Sequence, residues 1–364
     1  MNVREATTAY ESWLAGTGEL DGADLEYKHA LMSDAEDSFP FFRGTYYRWA
    51  QHWPKVCVHF ANAPVVLAVG DLHLANFGTW RDGDGRLCWG VNDFDEADDL
   101  PCVHDLVRLA SSALFAKKSG GLTLKFKSAC TAILGGYRAA LEANGDPFVL
   151  EERHPELRAL AMSSDRDPVL FWKKLAKVLA TPSVDPPAAA RAALIRDLPI
   201  EHLNAEFRRR SKVGVGSLGK QRYVVLAEWA GGWIAREAKI VAPPATAWAG
   251  NSTTPSRMAE IATSAKRAAD PFYRPGPLWV TRRLAPRCSR IELSSLSLAS
   301  DVEVLLRAMG AEAANVHLGS AVAPDTLLEY LTGLPGGWLP DAAKAMAGVI
   351  EADWEEWRST AARK

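Results

Sequence analysis

Asp71 and Asn76 in GDLHLANFG (70–78), followed by Asp93 and Asp95 in NDFDEADD (92–99), are oxygen donors spaced for work on a metal-bound anion. Asp71 closes the apolar run VVLAV (65–69), so a buried strand would hold it at the strand mouth, where it can orient and deprotonate a hydroxyl. Asn76, five positions on, can turn back to ligate a metal. Asp93 and Asp95 are two residues apart and share one face of an extended chain. Mg²⁺ takes one or two protein groups and completes its shell with phosphate oxygens. The pattern therefore assigns catalysis to Asp71 and Asn76 and metal binding to Asn76, Asp93 and Asp95. Turn and cap chemistry, which also favours Asp and Asn, explains each of these singly better than it explains Asp71, Asn76 and Asp93 together.

A second constellation lies in GVGSLGK (214–220), where Gly214, Gly216, Ser217 and Gly219 fit GxGxxG and, with Lys220, most of GxxxxGK. Dinucleotide and P-loop folds both need an apolar strand before the glycines and a helix after them. Here FRRRSK precedes, QRYVVL follows, and Gln221 stands where a P-loop needs Ser or Thr. What remains is a glycine-rich turn between two strands, whose N–H groups can approach phosphate because no side chain intervenes. That reading requires a lysine on a following strand, and Lys239 in IAREAKIV, on the second strand of the hairpin, supplies it with a side chain able to reach the α and β phosphates, with Glu260 on the following helix as its expected partner. It also requires Lys239 within about 10 Å of Asp93, since a triphosphate must bridge them.

Other chemistries are less well served. GDLH also fits the GDxH start of a binuclear phosphoesterase, but such a site needs more histidines than the eight present, and none sits in a suitable later motif. His73 is then an orienting or structural residue. No GxSxG elbow occurs. Five cysteines without CxxC spacing point to reduced thiols in the cytoplasm and against zinc. A net charge of −2 gives no field for a nucleic acid, and FRRRSK reads as a solvated turn. No window approaches 18 apolar residues and MNVREATTAYESW lacks a signal-peptide pattern, so neither a membrane nor an export route is expected.

The elements that must position these residues follow from periodicity. Residues 1–64 read as an aromatic-rich N-terminal helical segment. Strands flank the RDGDGR turn (81–86), and LPCVHDLVRLASSAL (100–114) is helical, as are 122–143 and about 156–180. TPSVDPPAAA is the best linker. Gln221–Trp229 and Trp233–Val241 form a hairpin, 255–269 is a helix, PLWVTRRLA (277–285) is a strand, and helices occupy about 300–319 and 339–360. The resulting class is α+β. Its parts are the segment 1–64, a catalytic part 65–210 with a helical acceptor-binding insert, a nucleotide-binding β part 211–290, and C-terminal helices 291–364 that return to the catalytic part.

With these residues assembled, GDLHLANFG and NDFDEA resemble the catalytic and metal loops of aminoglycoside phosphotransferases and other kinase-like enzymes. FPFFRGTYYRW, VGDLHLANFGTW, VNDFDEADDLPCVHDLVRLASS, VGVGSLGKQRYVVL and the helix ending KRAAD resemble, in order, the bacterial family called domain of unknown function 2252 (DUF2252), over roughly residues 28–320. The resemblance implies a two-lobe protein-kinase-like fold whose order is circularly permuted, because the acidic loops precede the glycine loop. It also implies that Asp105 braces the catalytic loop through backbone N–H groups, and that Arg43 reaches a phosphate or pairs with a carboxylate. Val69 stands where a His often precedes GD, and NDFDE replaces DFG, which leaves both Asp93 and Asp95 as metal candidates. The expected activity is ATP- and Mg²⁺-dependent phosphoryl transfer to the hydroxyl of a small molecule. Transfer to a protein, transfer of AMP, or a nucleotide-binding regulator without turnover uses the same parts. Oligomeric state is set by none of these features.

Overall fold

The computed structural model describes residues 1–361 apart from 19, 152, 163–166, 180, 197, 199–204, 287 and 289–297. The aromatic-rich N-terminal segment is helical, as its spacing predicts: α1 (Val3–Ala15), α2 (Gly22–Met32), α3 (Phe39–Gly44) and α4 (Tyr46–Val56). A capping box between Asn2 and Glu5 starts α1, satisfying two N–H groups that a helix start leaves open. The acidic loops then hang on two short antiparallel pairs. Strand β1 (Val65–Ala68) pairs with β4 (Asp98–Pro101), and β2 (Phe77–Arg81) pairs with β3 (Leu87–Val91) across the RDGDGR turn. The apolar run 65–69 is buried after Val65, so Asp71 emerges from the core as expected.

Helix α5 (Val103–Lys118) is buried along almost its whole length, followed by α6 (Phe126–Glu142), α7 (Pro155–Ala161), α8 (Pro168–Leu179) and α9 (Ala188–Ile195). The region expected as one helix over about 156–180 is thus two, with residues 163–166 outside the described set. A five-stranded antiparallel sheet comes next, from β5 (Glu206–Arg209), β6 (Arg222–Trp229), β7 (Gly232–Ile240), β8 (Arg274–Pro275) and β9 (Trp279–Leu284), in the order β5-β6-β7-β9-β8. Between β7 and β8 lie α10 (Ala245–Ala249) and α11 (Met258–Ser264). The helix expected over 255–269 is therefore shorter. FRRRSK, expected as a solvated turn, contributes instead to β5, with Phe207 buried against β6. Side chains alternate across the sheet: Tyr223, Val225 and Ala238 pack beneath α9, whereas Val224, Leu226, Ala235 and Leu284 pack with Leu175 of α8.

The chain closes with α12 (Ala299–His317), α13 (Pro324–Gly333) and α14 (Trp338–Ala361), and of the C-terminal part residues 291–297 lie outside the described set. Helices α6 and α12 cross at Gly136 and Gly310, where a Cβ would stand 1.9 Å from the carbonyl oxygens of Arg307 and Ile133, so only glycine allows the approach. Helix α14 returns to the start of the chain: Arg48 binds Asp353 through Nε at 2.8 Å and Nη2 at 2.9 Å, and Arg4 donates to the Trp357 carbonyl at 2.6 Å. The fold is mixed α+β with small sheets. No helix among the described residues is long and apolar enough to cross a membrane.

Candidate active site

Three polar residues at positions i, i+3 and i+7 of α5 hold the loop after β1. Asp105 accepts from Val69 N–H at 2.7 Å and Gly70 N–H at 2.9 Å, the bracing role that the resemblance implies. Arg108 binds one oxygen of Asp71, from Nε at 2.9 Å and Nη2 at 2.6 Å. Ser112 Oγ accepts from Leu74 N–H at 3.1 Å. Helical spacing puts all three on one face, so a rigid element reads residues 69, 70, 71 and 74 in turn. His317 Nε2 and, farther off, His104 Nδ1 also face Asp105, at 3.0 and 3.6 Å. Trp49 donates to His104 Nε2, which leaves Nδ1 as the protonated nitrogen. Gly70 makes the turn into Asp71 at φ +78°, and a Cβ there would lie 2.2 Å from the Glu96 carbonyl oxygen.

Burial raises the Asp71 carboxyl above its ordinary value against the pull of Arg108 and Arg43. Its second oxygen, Oδ2, is not taken by Arg108 and lies 3.8 Å from His73 Nε2. His73 itself caps the short turn 74–76 by accepting from Ala75 N–H at 3.2 Å, the local bond expected of it. Asn76 does turn back: its amide nitrogen donates to the carbonyls of Asp71 and Asp93, each at 3.2 Å, which ties the two acidic loops together and reserves its amide oxygen as the metal-capable end. Glu312 of α12 accepts from Val91 N–H at 3.1 Å, fixing the approach to NDFD.

Lys239 meets both acids of NDFD. Its Nζ lies 2.6 Å from Asp95 Oδ1 and 3.3 Å from Asp93 Oδ1, well inside the 10 Å required. Lys220, at the end of the glycine loop, is 3.6 Å from Asp95 and 3.9 Å from Glu96. Burial favours the neutral acids, but Lys239 and Lys220 overcome it at Asp95, whose carboxyl falls well below the usual range. Asp93, pushed up by burial and by the adjacent Asp95 charge, is raised. A side chain of Asp93 that is 37% exposed stands at the cavity wall. Asp93 and the Asn76 amide oxygen thus fit a Mg²⁺ ion, which needs few protein ligands when phosphate supplies the rest. Asp95 is held as the counter-ion of two lysines.

The glycine loop lies between two antiparallel strands, β5 and β6, as the surviving reading requires. Gly214, Gly216 and Ser217 line the cavity, and a Cβ on Gly216 would be 3.8 Å from Asp71 Oδ2. Gly219 faces away: its carbonyl accepts from Asp21 N–H and its Cα packs on Leu25. Glu260 corrects the expectation. It is bound by Arg257, the N-cap residue of α11 three positions earlier, and Lys239 takes Asp95 in its place. A one-turn separation on the same helix outcompetes a partner that a short, outward-facing helix cannot bring round.

These walls enclose a cavity of about 770 Å³, large enough for a nucleotide. Two features of it went unread in the sequence. Arg108 was signalled by its place one turn after Asp105. The sheet wall, where Arg210, Arg222 and Arg282 surround Glu237, carried no local signal, because it is assembled across three strands. Lys239 sits behind Asp93, beside a small adjoining void, and does not itself line the main cavity. Among the described residues no group of three or more His, Cys, Asp and Glu side chains is disposed around a common metal position.

Residues 22–170 match a family described as an uncharacterized protein conserved in bacteria (DUF2252). That segment holds both acidic loops and α5, and ends before the glycine loop. No curated protein and no solved structure matches the chain.

Proposed function

We propose that this chain, whose residues 22–170 carry the DUF2252 match, is an ATP- and Mg²⁺-dependent phosphotransferase acting on the hydroxyl of a small molecule, built as a two-lobe, kinase-like fold in circularly permuted order. The observation that carries the reading is the meeting of Lys239 with Asp93 and Asp95. A lysine on the second strand after a glycine loop and an acid pair after a GDxxxxN loop are the two halves of a phosphoryl-transfer site. Here they converge although the acidic half comes first in the chain.

In this account ATP enters the cavity with its phosphates beneath Gly214, Gly216 and Ser217. Asn76 and Asp93 would hold Mg²⁺, with Asp95 and Lys239 as the neighbouring ion pair. When bound, Mg²⁺ neutralises charge on the phosphates. Asp71 positions the acceptor: Arg108 fixes one carboxylate oxygen, and Oδ2 receives the hydroxyl proton. The new bond joins acceptor oxygen to the γ-phosphorus, the bond from that phosphorus to the bridging oxygen breaks, and ADP leaves with the electron pair. A raised Asp71 carboxyl suits it to take a proton late in such a loose transition state. Helix α8, of which Phe171 and Lys174 reach the cavity rim, is the natural place for acceptor selection.

A thermal-shift and transfer screen with ATP and Mg²⁺ against hydroxyl acceptors tests this, with wild type beside Asp71→Ala and Asp93→Ala. Wild type is expected to be stabilised and to turn over, Asp71→Ala to be stabilised without turnover, and Asp93→Ala to lose the Mg²⁺-dependent stabilisation. Absence of both stabilisation and turnover in the wild type would refute the reading.

A further inference from the structure

The cations that face the main cavity from the sheet are arginines. Arg210, Arg222 and Arg282 line it around Glu237, with Arg283 beside them on β9, whereas Lys239 lies behind the acid pair. All three arginines converge on Glu237, whose side chain is 1% exposed: Arg222 Nη1 at 3.2 Å, Arg282 Nη2 at 2.8 Å, and Arg210 through Nη1. The register explains the convergence. Arg282 is the cross-strand partner of Glu237, Arg222 is the partner of Lys239 two pairs along and so on the same face, and Arg210 follows β5 at the sheet edge. Burial favours a neutral Glu237, yet the three guanidinium groups hold its carboxyl far below the usual range.

One carboxylate cannot satisfy three guanidinium groups. Each brings five N–H donors, and a carboxylate offers about four acceptor positions. Ser217 Oγ takes one more donor, from Arg222 Nη2 at 2.6 Å, which links the cluster to the glycine loop. Arg210 Nε is buried with no hydrogen-bond partner. In charge, three cations against one anion leave two positive charges around Glu237; of the nearby acids, Asp93 and Asp95 are engaged by Lys239 and Lys220, and Glu96 also faces Lys220. Uncompensated charge on a partly dry wall is costly unless a ligand brings the anion.

We propose that Arg210, Arg222 and Arg282 form the phosphate grip of this cavity, so that its ligand is a phosphoanhydride chain held by guanidinium forks, while Lys239 is a positioning residue for the acid pair. The proposal rests on the phosphotransferase reading only for the identity of the anion. Planar guanidinium groups bind phosphate bidentately, which a lysine does not. Ser217 ties this grip to the glycine loop that lies over Asp71, so the last phosphate of the chain points toward the acceptor position. Glu237 sets the spacing of the forks.

The test is calorimetric titration of the full chain with tripolyphosphate in EDTA at fixed ionic strength, with succinate as the control anion. Wild type is expected to bind tripolyphosphate and not succinate. Arg282→Gln, at the most exposed of the three, should weaken binding at least tenfold with circular dichroism unchanged, and Lys239→Met should change it less than threefold. Glu237→Gln should tighten it several-fold, a direction that damage to the fold does not produce. Equal binding of succinate, no binding without Mg²⁺, or indifference to Arg282→Gln would overturn the proposal. Turnover of ATP with Mg²⁺ that ignores Arg282→Gln would sink the arginine grip and leave phosphoryl transfer standing. Arginine-dependent tripolyphosphate binding without turnover of ATP would do the reverse.

Discussion

Lys239 of β7 binds Asp95 at 2.6 Å, so a strand that follows the glycine loop is joined by an ion pair to a loop that precedes it by more than a hundred residues. Both side chains are 11% exposed, and Lys220 adds a second cation to the same carboxylate. The pair thus ties the sheet to the acidic loops.

Replacing Lys239 by Met removes the nearer of the two cations that keep Asp95 ionised and Asp93 from rising further. Loss of a cation raises the acids, so protons compete with Mg²⁺ at higher pH. The acid limb of Mg²⁺-dependent ATP binding, measured from pH 5 to 8, is expected to move upward by about one unit or more in Lys239→Met. An unmoved limb would show that Lys239 does not govern the acid pair.

Asp105 holds two backbone N–H groups that have no alternative acceptor in the core. Asp105→Ala leaves both unpaired along with His317 Nε2, and a loss of roughly 3–5 kcal/mol in denaturant-derived stability is expected. The pH dependence has a definite sign. Burial opposes ionisation, but the facing His104 and the hydrogen bond from His317 depress the carboxyl far below the unfolded value. Stability from this group is therefore present above about pH 4 and lost as pH falls below it, so the wild type should show a steeper acid limb than Asp105→Asn.

Glu96 behaves in the opposite sense. Burial pushes its carboxyl up to about 7, against Lys220 and the Ala245 N–H, which it accepts at 2.6 Å. A raised carboxyl contributes fully below the unfolded value near 4.5 and loses that contribution as pH rises through 7. Between pH 5 and 8 the wild type should lose on the order of 3 kcal/mol that Glu96→Gln does not lose. Parallel urea midpoints for the two proteins across that range would contradict the assignment.

Much of this site was legible in the sequence because it is built from local signals. VVLAV ends in the buried strand that delivers Asp71, and the RDGDGR turn sets the β2–β3 register that brings Asp93 back to Asn76. Asp105 and Arg108 share a helix face by spacing alone. The sheet wall was not legible, because Arg222, Glu237 and Arg282 meet only through strand pairing, and a basic run on a half-buried strand has the composition of a solvated turn. Glu260 failed for a related reason: a helix as short as α11 does not specify which way its first turn faces, and Arg257 was close enough to claim it.

On the proposed function, Asp71 directs transfer of the terminal phosphoryl group of Mg²⁺-bound ATP. Its most direct measurement is the fate of label from γ-³²P- and α-³²P-ATP incubated with Mg²⁺, an acceptor mixture and either wild type or Asp71→Asn. The account predicts that γ-label moves to acceptor, α-label stays on ADP, and Asp71→Asn lowers the γ-transfer rate by a factor of about 10² to 10⁴ while ATP binding persists. Movement of the α-label, or γ-transfer at an equal rate in Asp71→Asn, would contradict it.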